Sequence, residues 1–514
     1  MLKNNKKLVV LLAVSMAISG GIPAAVAEFI AEGARLTQLT SDGKSTAVAL
    51  AYHGEKIIVL KELSQNQKQL VLINSDGSGL VPITPVGNPI FAEWGWSGKK
   101  LSYVFSNADN DQSQAGVYIY DVKEMRSIMV SSPYTLTTLE DGDGPMWSAD
   151  DNYITYNVEP PSQSRQTWIA DAQSGKTWRI LSDRVSAKEQ KWSPFLPSRI
   201  CLSSKNDIVT VNPDGRDLKL ITTTGDQSSV VSTEPRWSPD GQWIAYVSNI
   251  DMTQAERDLK REDCWIARPD GSEARNLTKA TTPVTEKQLN IDEPFWSQDG
   301  KWIMFLGDRF DPEGNAIETI YLVDPVKGGY FPIFTSYPKK KSEIDEIKWA
   351  KWSYASTRIA FLTERETVRN WGPNPEHENK RYVLGIYDVI EKKVHEILIF
   401  NEDLDRKEII GESDKDDIED ISWSPDNRSL VLTIAKIISK EDEVANPDVY
   451  RLDLPENLIS PIASEHIGPL MRINGRSGRA PADSAAKEIT ADTPKPQKTQ
   501  ETQTNKNGNV TVTI

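Results

Sequence analysis

The stretch Trp237-Ser-Pro-Asp-Gly-Gln-Trp-Ile-Ala-Tyr-Val247 constrains the fold more than any other. Pro-Asp-Gly is turn chemistry: Pro presets φ, Asp bonds its own backbone and Gly accepts a positive φ. The apolar, aromatic run after it suits a buried strand. The pattern recurs. Trp-Ser stands at Trp96, Trp147, Trp192, Trp237, Trp296, Trp352 and Trp423, at intervals of 45 to 71 residues. A strand-like run follows each, such as Leu101–Phe105, Tyr153–Tyr156 and Trp302–Leu306.

A further strand then ends in an Asp or Gly turn, as in Gly116–Asp121 or Cys264–Gly271, and a short closing strand follows, as in Leu218–Thr222 or Ala274–Thr278. An earlier unit keeps this plan with Tyr52-His53-Gly54-Glu55 in place of the Trp turn. Four short strands per unit at this period are the signature of a β-propeller, in which radial closure protects the sheet edges. The expectation is an all-β propeller of eight four-stranded blades, with seven as the fallback. The repeated Trp residues should pack between blades, and Asp240 and Gly241 should brace the turn. Leu36–Thr40 resembles a closing strand and is a candidate for circular closure. Leu458–Ile462 offers the last unit a closing strand of its own.

The segment Trp237–Asn249, with Asp270-Gly-Ser-Glu-Ala-Arg-Asn-Leu-Thr278 after it, resembles the TolB-type WD-like propeller repeat over roughly residues 41–465. The resemblance implies the blade fold; it implies no activity, because the motif residues build the blade. TolB carries an α/β domain ahead of its propeller, for which residues 28–40 leave no room, so the TolB partners do not carry over. A count of eight also resembles the propellers of dipeptidyl-peptidase-like proteins, without their hydrolase domain.

Residues 1–27 read as a secretory signal: Lys3, Lys6 and Lys7, an apolar core from Leu8 to Ile18, and Ala25-Val26-Ala27 as cleavage site. The core is short for a bilayer span. The expected location is the periplasm or the cell exterior, with no integral membrane segment after cleavage. Net charge is −15, and losing three Lys makes it −15 − 3 = −18, which argues against a nucleic-acid partner. Acidity of this kind also simply keeps an exported protein soluble. Export permits a disulfide between Cys201 and Cys264, although the two align to different strand positions and inert thiols fit equally.

Function on a propeller sits in the departures from the repeat. Four stand out: 107–114, 251–263 (readable as a short charged helix), 365–380 and the acidic 401–420. Asp109 and Asp111, and more weakly Asp141 and Asp143, imitate a calcium loop without the full EF-hand spacing, and turn formation is the plainer reading. No other cofactor is implied. Trp371 beside Gly-Pro-Asn-Pro, with His377, is a candidate protein contact. Asp414, Asp416 and Asp417 would suit a basic partner, or form a solvated insertion. Residues 466–508 read as a disordered linker, since the composition changes from about Asn474 and the stretches 480–486 and 493–505 lack large apolar side chains. The end, 509–514, alternates with period two, so that Val510, Val512 and Ile514 would share one face of a strand added to a partner's sheet; a frayed terminus is the plainer alternative.

No G-x-S-x-G elbow, P-loop or dinucleotide fingerprint occurs, and no spacing joins the four His residues. The sequence thus favours a non-catalytic scaffold that presents loops to another envelope or extracellular protein. The alternative is a propeller hydrolase or lyase acting on a polysaccharide or peptide at the channel mouth.

Overall fold

The computed structural model describes residues 29–458, apart from 65–66, 107–114, 132–143, 159–164, 182–186, 196–197, 225–228, 259–260, 280–289, 292, 311–315, 337–342, 370–375, 402–406, 411–420 and 438–444. The signal-like segment, Asp109, Asp111, Asp141, Asp143, Trp371, Asp414, Asp416, Asp417, the linker and Val510, Val512 and Ile514 all lie outside the described residues.

Eight antiparallel sheets follow one another along the chain and close into a propeller. Blade 5 is typical: Ser232–Trp237, Ile244–Ser248, Asp263–Ala267 and Arg275–Asn276 pair in sequence order. First strands touch the neighbouring blade, while the two-residue closing strands of blades 1 and 4, Val81–Pro82 and Lys219–Leu220, are exposed. First strands therefore line the axis and closing strands form the outer rim. The hydrophobic clusters span pairs of blades, so the core is the set of seams between sheets. One cluster joins Val104, Val117 and Ile119 of blade 2 to Trp147, Ile154 and Tyr156 of blade 3.

The ring is closed by the N-terminal segment. Arg35–Gln38 pairs with Ala445–Asp453 as the outer strand of blade 8. Phe29–Ile30 pairs with Lys393–Asn401 as a fifth strand on blade 7. The closure candidate at Leu36–Thr40 thus does that work. Of the expected Leu458–Ile462 strand, Leu458 is buried at the end of the 3₁₀ turn Glu456–Leu458, the closing position is taken by Arg35–Gln38, and 459–462 lie outside the described residues. Asp448 anchors the closure, accepting from Gln38 Nε2 at 3.0 Å and Thr40 Oγ1 at 2.8 Å.

Each Trp at the end of a first strand staples its blade to the preceding one. The indole N–H of Trp192, Trp237, Trp296, Trp352 and Trp423 donates to the carbonyl of Met146, Lys191, Arg236, Phe295 and Lys351, at 3.0–3.2 Å. The acceptor is each time the residue before the previous blade's Trp. Trp147 donates instead to Ser102 Oγ at 3.0 Å. Blade 2 corrects the sequence reading: the staple there is Trp94, buried and donating to Ala49 O at 3.3 Å, and not Trp96. The turn bonds agree, since Gly95 pairs with Lys100 as Ser238 pairs with Trp243.

The turns form a second ring. Ser238 Oγ donates to Asp240 at 2.5 Å and accepts from Trp243 N at 2.9 Å, and Gly241 takes φ 66°. Where this left-handed position is not Gly, its side chain reaches the preceding blade's turn. Asp151 (φ 56°) accepts from Trp96 N and Ser97 N at 2.6 and 2.7 Å. Ser356 Oγ accepts from Asp299 N, and Asn427 Oδ1 from Ala355 N, both at 3.0 Å. Burial raises the Asp151 carboxyl above its ordinary value, opposed by its bonds to Ser97 and Trp96.

Two more expectations change. The 365–380 departure is mostly ladder: Arg358–Arg369 pairs with Glu376–Asp388, and His377 sits opposite Val368. Within the acidic departure, Lys407–Ile410 pairs with blade 8 opposite Ile434–Ile437, adding to its first strand. Residues Gln254–Asp258 do form a short helix. Cys201 and Cys264 are free, fully buried thiols in different blades, and burial pushes both well above the ordinary thiol range.

Candidate functional site: the innermost strands of blades 4 to 7

The strand order places all turns between first and second strands, and between third and fourth, at one end of the ring, here called the turn face. Connections from second to third strands, and from each blade to the next, leave from the other end, the loop face. All four sequence departures fall on loop-face connections. The channel between the two ends is lined by first strands.

Three first strands share a pattern that the sequence analysis did not use, Glu three residues before the staple Trp: Glu189, Glu234 and Glu293. They occupy consecutive blades 4, 5 and 6. Glu189 and Glu234 hold φ of 54° and 53°, at β-bulges between Lys188 and Lys191 and between Thr233 and Arg236. A left-handed Glu is uncommon and costs backbone energy. The carboxylate of Glu189 caps the bulge, accepting from Glu234 N at 2.8 Å. Bulges in other blades are capped similarly across the seam: Thr433 Oγ1 accepts from Ala47 N at 2.9 Å, and Glu318 accepts from Ile347 N. Glu293 pairs with Arg236, whose guanidinium lies 5.6 Å from the centre of the Phe295 ring. Phe295 is exposed, at 38 %.

The first strand of blade 7 carries both signs. Lys348 binds Glu364 at 2.9 Å and Glu346 at 3.2 Å. Burial alone would lower the Lys348 ammonium; Glu364 and Glu346 outweigh it and hold it above its ordinary range. Lys351 Nζ donates to Ile421 O at 3.1 Å. Acidic, basic and aromatic groups thus stand on the first strands of four consecutive blades, each engaged with a neighbour.

Among the described residues the arrangement supplies no recognisable nucleophile and base. His53 is exposed in the blade 1 turn, and His395 lies 4.0 Å from Glu391 on the blade 7 rim. Among the described residues no group of His, Cys, Asp or Glu could hold a metal ion. No described helix is long and apolar enough to cross a membrane.

No family model matches the chain. It is similar to "Dipeptidyl-peptidase 5" of Porphyromonas gingivalis, with 24% identity over 335 residues, covering 65% of this chain and 45% of that protein. It is similar to "Uncharacterized peptidase YuxL" of Bacillus subtilis, with 25% identity over 248 residues, covering 45% of this chain and 34% of that one. The chain spans less than half the length of each of these two relatives. Among solved structures it resembles an oligogalacturonate lyase in complex with manganese (TM-score 0.45, 13% identity, 83% of this chain and 95% of that one). TolB from Acinetobacter baumannii also resembles it (TM-score 0.33, 14% identity, 66% and 78%). Structural likeness at this level carries no functional argument.

Proposed function

We propose that this propeller handles peptide as part of a peptide-hydrolysing activity. Its part is to admit an extended chain from the loop face and hold it against the charged first strands of blades 4 to 7. The observation that supports this best is the similarity to two peptidases, over 335 and 248 residues. It shifts the balance from the scaffold reading to the hydrolase alternative. The described residues bring no nucleophile to a base, so the hydrolytic groups are sought elsewhere: in the rest of the chain or in a partner. We further propose that the protein works outside the cytoplasm, on the strength of the Lys-rich start, the apolar core and Ala25-Val26-Ala27.

The test is incubation of the purified protein with unlabelled peptides and dipeptide p-nitroanilides, with products followed by mass spectrometry and binding by calorimetry. Saturable binding with cleavage supports the reading in full. Binding without cleavage assigns hydrolysis to a partner. Neither binding nor cleavage overturns it and restores the scaffold, for which a stoichiometric protein partner recovered from the native cells would be the evidence.

A further inference from the structure

Two separate pairings hold the N-terminal segment on the propeller. Arg35–Gln38 forms a four-residue ladder with Tyr450–Asp453 of blade 8. Leu39 N extends it, donating to Val449 O at 2.7 Å, and Gln38 and Thr40 both donate to Asp448. Phe29–Ile30 makes only a two-residue ladder, opposite Ile399 and Leu398 at the edge of blade 7, to which Ala31 N adds a bond to Ile397 O at 2.9 Å. A turn joins the two pairings: Ala34 N donates to Ala31 O at 3.0 Å, and Gly33 takes φ 83° beside Pro455. The longer pairing supplies the outer strand that blade 8 needs. The shorter one adds a fifth strand to a blade that already has four.

The short pairing stands at a telling place in the sequence. With Ala25-Val26-Ala27 as the cleavage site, Glu28 alone separates the scissile bond from Phe29. A protease holds its substrate extended, with residues on both sides of the bond in its groove. Such a groove cannot close around a chain whose next residues lie in a ladder on a sheet edge. Cleavage of a site held in this way proceeds through the opened form.

We propose that Phe29–Ile30 is a latch whose seating on blade 7 and the removal of the leader exclude each other. Hydrolysis of the Ala27–Glu28 bond by water leaves a carboxylate on Ala27 and an α-ammonium on Glu28, and the freed end then docks beside Ile399. Arg35–Thr40 closes blade 8 whether or not the latch is seated, so the blades can form while the cleavage site stays open. A precursor whose latch seats first is protected from processing. This rests on the export reading above and is independent of the peptide reading.

The test uses the full-length precursor, translated without membranes and refolded in detergent, and a purified signal peptidase, with cleavage followed by electrophoresis. Ala31→Pro removes the donor to Ile397 O. Ile399→Pro weakens the ladder from the blade 7 side and leaves the sequence around the cleavage site unchanged. Each should be cut at least about fivefold faster than wild type, as the loss of one bond from so short a ladder implies. Either variant suffices, provided it keeps a cooperative urea transition. If neither does, the wild-type precursor alone gives the answer: chain diluted from urea straight into the enzyme should be cut in a burst that the refolded chain lacks. Equal rates, or no burst, overturn the latch. A synthetic peptide of residues 1–35 that the enzyme leaves intact overturns the export reading instead.

Discussion

Replacing Asp151 tests whether the turns weld the blades together. Its carboxylate accepts from Trp96 N at 2.6 Å and Ser97 N at 2.7 Å, across the seam between blades 2 and 3. Charge-assisted bonds of this kind contribute about 1.5–3 kcal/mol each, and an amide left unpaired in a half-buried turn costs a similar amount. Its backbone is left-handed at φ 56°, which Asp tolerates and Ala does not, at about 1 kcal/mol. Asp151→Ala should therefore destabilise by about 3–5 kcal/mol. Asp151→Gly, which relieves the backbone, should recover about 1 kcal/mol of that. Asp151→Asn keeps one acceptor and should cost about 1–2 kcal/mol near neutrality. The assay is equilibrium urea unfolding of the three variants.

The pH dependence carries its own sign. The folded-state carboxyl is raised above its unfolded value of 3.8, so the native state binds the proton more tightly. Wild-type stability therefore falls as pH rises from 3.8 through the raised value, and is level above it. Asp151→Asn lacks this slope, so its deficit relative to wild type should shrink as pH rises through that window. A cost below about 0.5 kcal/mol for Asp151→Ala, or a deficit that grows with pH, would refute the reasoning.

Trp94→Ala should cost about 3–5 kcal/mol through lost burial and Trp96→Ala clearly less, which urea unfolding of both would rank; the reverse order would restore Trp96 as the staple. Trp237→Phe keeps an aromatic ring in the seam and removes the bond to Lys191 O, so a loss of about 1 kcal/mol is expected in the same assay. Cys201 and Cys264 should resist a thiol reagent in the native protein and react only on unfolding, because both are fully buried with raised pKa. Deleting residues 29–38 should abolish cooperative unfolding and expose the chain to limited proteolysis, since blade 8 loses its outer strand.

Much of the ring was legible because each blade repeats one local solution: Trp at a strand end, Ser and Asp bonding within the turn, a left-handed residue, then an apolar strand. Trp96 misled because Trp96-Ser97 copies the motif dipeptide. The spacing held the answer, for the left-handed residue stands four places after the staple Trp in Trp237 to Gly241 and Trp296 to Gly300, and Gly98 stands four after Trp94. Leu458–Ile462 misled for a different reason. Its apolar pattern is strand-like, but the edge it would have covered is taken by Arg35–Gln38, a pairing across the whole chain that no local pattern encodes. The site was harder to read. Glu189, Glu234 and Glu293 recur at one offset from Trp and were visible in principle, yet their common position on the axis follows only from ring closure. Turn chemistry is likewise silent on contacts between blades, such as those of Tyr52 with Trp96 of blade 2 and Tyr354 of blade 7.

The most direct measurement of the central claim is a crystal structure of the protein soaked with a short peptide. The account expects density along the axis, entered from the loop face and in contact with Glu189, Glu234, Arg236 or Phe295. Peptide bound on the outer rim, or a channel unchanged at saturating peptide, would contradict it.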